Sequence, residues 1–65
     1  MITTEELREW EAEIEHTQKR ALALAKKHKD SKDMRKFYTH VAQTAAVQLS
    51  VVHRLIRQSE AQEEK

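Results

Sequence analysis

The chain has 65 residues, a net charge of +1 and no Cys, Gly or Pro. A chain this short is one domain at most, buries only roughly 60% of its unfolded surface and is marginal alone. Without Cys, disulfides and thiolate metal sites are excluded, which leaves self-association as the expected source of further stability. A charged fraction of 35% with helical periodicity belongs to a helical bundle rather than a disordered chain.

The opening Met1-Ile2-Thr3-Thr4-Glu5-Glu6 lacks the basic segment and apolar run of a secretory leader. No apolar stretch approaches the length of a membrane span, so a cytoplasmic protein with no membrane partner is expected. The first helix, α1, is expected over about residues 4–29. Thr3 with Glu6 makes a capping box, and Ile2 with Leu7 takes the staple positions. Leu7, Trp10, Ile14, Thr17, Ala21, Leu24 and His28 step alternately by three and four, which keeps one stripe toward one partner. Glu5, Glu6 and Glu9 complement the positive helix start, and Lys26, Lys27 and Lys29 the negative end.

The turn is expected at 29–32. Asp30 or Ser31 can cap the second helix, α2, with Asp33 at or near its third position. α2 is expected over about 32–58, with a stripe of Met34, Tyr38, Val41, Ala45, Gln48, Val52 and Leu55. Each helix is then roughly 40 Å long, and the short connection makes the two antiparallel neighbours. Residues 59–65 lack apolar periodicity and are expected to fray. Folding at Asp30–Ser31 sets Leu7 opposite Leu55, Trp10 opposite Val51 or Val52, Thr17 opposite Thr44, and Leu24 opposite Phe37.

The two stripes differ in width. That of α1 covers about 100° of the helix, enough for one neighbour, whereas the apolar face of α2 covers roughly 180°. One helix cannot bury half of another's circumference. A second chain is therefore expected on Tyr38, Ala42, Ala45, Gln48, Leu49, Val52 and Ile56, with Gln48 either a buried polar residue that fixes register or a rim residue meeting water. The expected fold class is all-α: residues 1–65 form a single antiparallel two-helix hairpin that assembles into a homo-oligomeric helical bundle, a four-helix dimer or a larger ring.

Charge is laid out unevenly. Residues 5–15 hold six Glu against one Arg, and residues 16–29 hold five cations and no acid. Lys26, Lys27, Lys29, Lys32, Arg35 and Lys36 fall within eleven residues at the hairpin tip, offset only by Asp30 and Asp33. The start of α2 adds backbone amides, a ready anion site. Phe37, Tyr38 and Thr39 follow, and aromatics beside cations suit a nucleobase carrying phosphates. The candidate ligand-binding residues are thus Lys26, Lys27, Lys32, Arg35 and Lys36 for phosphates, and Tyr38 and Thr39 for base or sugar. The plainer alternatives are a solvated tip that aids solubility, and Tyr38 and Trp10 packed in the core. Antiparallel chains would also set basic tips against acidic ends.

Glu13-x-x-His16 has the spacing of a di-iron carboxylate motif. α2 offers no Asp or Glu between Asp33 and Glu60 to complete it, so Glu13 and His16 read as a solvated face, with no metal and no cofactor. His28 suits a helix C-terminus. No nucleophile–base constellation and no Gly-rich loop is present, so no catalytic residues and no enzyme are expected.

The stretch from Ala21 to Asp33 followed by Phe37-Tyr38-Thr39-His40-Val41 resembles the helical phage sponges that sequester cyclic oligonucleotide immune signals, the anti-CBASS type. Asp30, Ser31, Lys32 and Asp33 match the family's turn, and Thr39 and Val41 fit later positions, over about twenty residues in all. That resemblance implies a phage-encoded homo-oligomer that binds a cyclic nucleotide between protomers without cleaving it. The size and two-helix layout are also similar to Rop-type RNA-binding hairpins of plasmids, in architecture only. Sequestration of an anionic nucleotide-type signal is the leading expectation. The second is a protein-interaction module, a small inhibitor or assembly factor, using His40, Val47 and Arg54 or the acidic face of α1. The third is RNA binding.

Overall fold

A computed structural model describes residues 2–63. Among these the chain is two helices with no strand: α1, Thr4–Lys27, and α2, Lys32–Glu63. They pack antiparallel as a rod of 53 × 15 × 14 Å.

Local chemistry sets the helix ends. The Thr3 hydroxyl oxygen accepts from the Glu6 N–H at 3.1 Å and donates to Glu6 Oε1 at 3.4 Å. The Thr3 carbonyl takes the Leu7 N–H at 3.1 Å, the first intrahelical bond, so Thr3 is the N-cap of α1 and Glu6 bonds its hydroxyl rather than its backbone N–H. At the far end the His28 N–H reaches the Leu24 carbonyl at 3.0 Å, and the Ser31 N–H reaches the His28 carbonyl at 2.9 Å. No described residue needs a positive φ to make this reversal, which is how the chain turns without glycine. Of the two capping candidates Ser31 is used: its Oγ accepts from the Met34 N–H at 3.4 Å and its carbonyl from the Arg35 N–H at 2.9 Å.

Seven residues are buried: Leu7 and Ala21 on α1, and Ala42, Ala45, Leu49, Val52 and Ile56 on α2. Leu7, Val52 and Ile56 form the densest cluster, with Ile14 packed against it. No polar or charged side chain is buried among the described residues. The α2 seam is therefore the face expected between chains. Ala42, Ala45, Leu49, Val52 and Ile56 are covered by the hairpin's own α1, and Tyr38 is half-buried beside them. Gln48 is exposed. The expected stripe is rotated: Ala21, Ala42 and Ala45, which carry nothing beyond Cβ, are buried between the helices. The bulkier Trp10 and Leu55, 43% and 40% exposed, are left on the flank, with Met34 and Phe37.

Two further expectations change. The segment after Gln58 was expected to fray, yet α2 continues through it to Glu63; Glu64 and Lys65 lie outside the described residues. The Ser59 hydroxyl bonds the Thr4 hydroxyl, which donates to Glu63 Oε1 at 2.7 Å. Arg8 Nη2 meets Glu60 Oε1 at 2.6 Å. These polar links, invisible to an apolar pattern, hold the last turn on the start of α1. The register also slips: Glu11 meets His53, where folding at Asp30–Ser31 predicted Ser50. The cause is at the tip. Residues 29–37 are all exposed, and α2 first meets α1 at Tyr38, which stacks on His28. The first turns of α2 overhang the end of α1.

Ile56→Ala should cost about 2–5 kcal/mol in urea unfolding followed by circular dichroism, most of what so small a hairpin has. A chain ending at Gln58 should also melt lower than the full chain, since Thr4 and Arg8 lose their partners. An unchanged midpoint would make residues 59–63 dispensable.

Candidate anion-binding site

The tip cations stand on both helices, and the turn brings them together without pairing them. The ion pairs among the described residues are Arg8–Glu60 and Glu11–His53, both at the open end of the hairpin. No carboxylate is paired with Lys26, Lys27, Lys29, Lys32, Arg35 or Lys36. Asp33 sits in the first turn of α2, where a carboxylate complements the helix start.

The structure divides the seven predicted ligand residues among several places. Lys26, Arg35 and Thr39 line one groove of about 570 Å³ together with Lys29, Leu22 and Ala25. Three cations and a hydroxyl here surround an apolar floor, and the volume is in the range of small-molecule sites. Lys32 and Lys36 lie around the corner, where with Arg35 and Thr39 they edge a larger depression of about 760 Å³ along the outer side of α2. Phe37 and His40 share that depression, and Asp33 adds the opposite charge. Lys27 lines neither hollow, because one residue beyond Lys26 turns about 100° round α1.

Tyr38 is not in the groove. Its ring stacks on His28 with centroids 5.9 Å apart and 20° between planes, and meets Phe37 edge-on at 5.3 Å and 71°. The phenol ring thus closes the tip end of the seam, and His28 serves as cap and as stacking partner. The plainer reading of Tyr38, a packing residue, describes its position.

Leu22 and Ala25 were not singled out in the sequence as site residues, and Lys29 only as part of the basic run. The signal was available: Leu22, Ala25, Lys26 and Lys29 recur at helical spacing on one edge of α1. What the sequence does not show is that the overhang of α2 swings Arg35 and Thr39 onto that same edge.

A second constellation was also missed. Glu11, Glu15 and His53 place one ligand atom each within 4.8 Å of one another, with Glu11 Oε2 and His53 Nε2 at 2.9 Å. Two carboxylates and an imidazole are a donor set a divalent metal accepts. Here the imidazole is engaged by Glu11. Glu13 and His16, the pair with di-iron spacing, do not take part in this group.

No family model, no curated protein and no solved structure matches the chain. No helix among the described residues is long and apolar enough to cross a membrane.

Tyr38→Ala should lower the thermal midpoint, because a packed aromatic contact is worth about 0.5–1.5 kcal/mol beyond its burial. A variant that melts with the parent would take Tyr38 out of the seam.

Proposed function

We propose that this protein is a non-enzymatic, homo-oligomeric binding protein that sequesters an anionic, nucleotide-type ligand in the groove at the hairpin tip. One observation carries the reading: six cations stand at the tip, three of them on one groove, and none is in an ion pair among the described residues. A solvated tip needs only charge. Lys26, Lys29 and Arg35 converge on the Leu22–Ala25 floor beside the Thr39 hydroxyl, which offers a phosphate its countercharges and a base or sugar an apolar seat. Arg35 contributes a planar fork suited to phosphate oxygens, and the lysines act as point charges.

In this reading Lys26, Lys29 and Arg35 bind the phosphates and Thr39 donates to the sugar or base. Leu22 and Ala25 replace water beneath the ring. Lys32 and Lys36 raise the local potential from the adjoining depression. Nothing in the groove is placed to attack a phosphate, so the ligand is held and released unchanged. Such a role suits a cytoplasmic protein of a phage or mobile element that titrates a host signal.

Isothermal titration with a cyclic dinucleotide is the test. Lys26→Glu with Arg35→Glu should abolish uptake while the circular dichroism spectrum stays helical, and Lys27→Glu should bind within a few-fold of the parent. Equal loss in all of these would mean general charge attraction rather than a groove. Unchanged binding in the double variant would refute the site. A linear RNA bound with steep salt dependence, in place of the dinucleotide, would indicate an RNA-binding hairpin.

A further inference from the structure

The hairpin has two unlike flanks. On one side of the seam lie both ion pairs, Arg8–Glu60 and Glu11–His53. On the other side Thr17 and Leu24 of α1 border a hollow with Phe37 and Val41 of α2, and Leu55 borders another with Ile2 and Leu7. Helical spacing makes these one continuous strip. Trp10, Thr17 and Leu24 recur every seven residues on α1. Phe37, Val41, Thr44, Gln48, Val51 and Leu55 step by four and three on α2. Trp10, Phe37, Val51 and Leu55 are each at least 40% exposed. The strip runs along much of a rod 53 Å long, the length over which two such hairpins can lie side by side.

The charges beside this strip identify its occupant. Glu6, Glu13, Arg20 and Lys27 recur every seven residues along the α1 rim, and all four are exposed. Two acids followed by two bases complement themselves only when the second α1 runs antiparallel. Glu13 then meets Arg20 of the other copy and Glu6 meets its Lys27, and both pairs share one midpoint, between His16 and Thr17. The Glu11–His53 contact fixes the level of the two helices, and at the level of that midpoint α2 presents Val47 and Gln48. A single two-fold axis through this level sets Gln48 against Gln48 and Thr17 against Thr17. It also sets Trp10 against Leu24, Val41 against Leu55 and Thr44 against Val51. Gln48 and Thr17 thus meet their own copies at the centre, and the Trp10–Leu24 and Val41–Leu55 pairs bring apolar side chains together on either side of it. A parallel arrangement would instead crowd two tips of six cations each.

We infer that the Trp10–Leu24–Phe37–Leu55 face binds a second copy of this chain as an antiparallel, two-fold four-helix dimer centred on Thr17 and Gln48. This rests on the homo-oligomer part of the proposed function and adds its face, direction and register. The ligand groove lies on the opposite flank, near the tip, so each dimer carries two independent grooves.

The chain has no Cys, so single introduced thiols report the register. Sedimentation should show a dimer. Gln48→Cys should oxidise to a covalent dimer, and Asp30→Cys should not. Glu13→Arg and Arg20→Glu should each weaken dimerisation several-fold, and together restore it. A dimer that cross-links through Asp30→Cys and not Gln48→Cys overturns the antiparallel register while leaving self-association standing. A monomeric parent overturns both. Dinucleotide binding on the same samples is read separately, so its loss in an intact dimer counts against the ligand groove alone.

Discussion

The close approach of α1 and α2 along Ala21, Ala42 and Ala45, with Leu7, Val52 and Ile56 filling the open end, is the constraint on which everything else in the molecule depends. A chain without disulfides relies heavily on apolar burial to offset its conformational entropy. This one gathers that burial into a narrow seam. The seam fixes which edge of each helix faces inward and thereby how the remaining surface divides. One flank keeps the Arg8–Glu60 ion pair and the Glu11–His53 contact. The other keeps the large apolar residues that the seam has no room for.

The same constraint shapes the tip. Because α2 meets α1 first at Tyr38, stacked on His28, its opening turns stand clear of α1 and carry their cations into solvent. Arg35 and Thr39 come level with Lys26 and Lys29 and share one groove with them. Helix propensity and capping make the two rods; the seam and its register turn an otherwise diffuse run of positive charge into a place with walls and a floor.

Much of the architecture is legible in the sequence. Two long periodic runs, the Thr3–Glu6 box, the capping Ser31 and the reversal near Asp30 all follow from local rules, because capping and periodicity act over a few residues. The inward face of α2 is harder. Half its circumference is apolar, and periodicity alone cannot say which half a single neighbour covers. Ala42, Ala45, Leu49, Val52 and Ile56 were read as apolar and given to a second chain. Ala42 and Ala45 are small enough to sit between the helices, while the burial of Leu49, Val52 and Ile56 against α1, with Leu55 of equal bulk left on the flank, is set by their angular position on α2. The helical end at Ser59–Glu63 is held by Thr4 and Arg8 across the hairpin, an interaction with no apolar signature. Within the site, the basic run was readable, but its division was not: Lys26 and Arg35 face one groove, Lys27 and Lys36 turn away, and Tyr38 packs. The trio Glu11, Glu15 and His53 was hidden for the same reason, since His53 joins it only through the true register.

We propose that the two flanks of the hairpin do different work, one binding a second copy and the other, at the tip, an anion. Native mass spectrometry during titration with a cyclic dinucleotide tests this most directly. The account predicts a dimer that takes up one dinucleotide and then a second. A monomer that takes up none would contradict it.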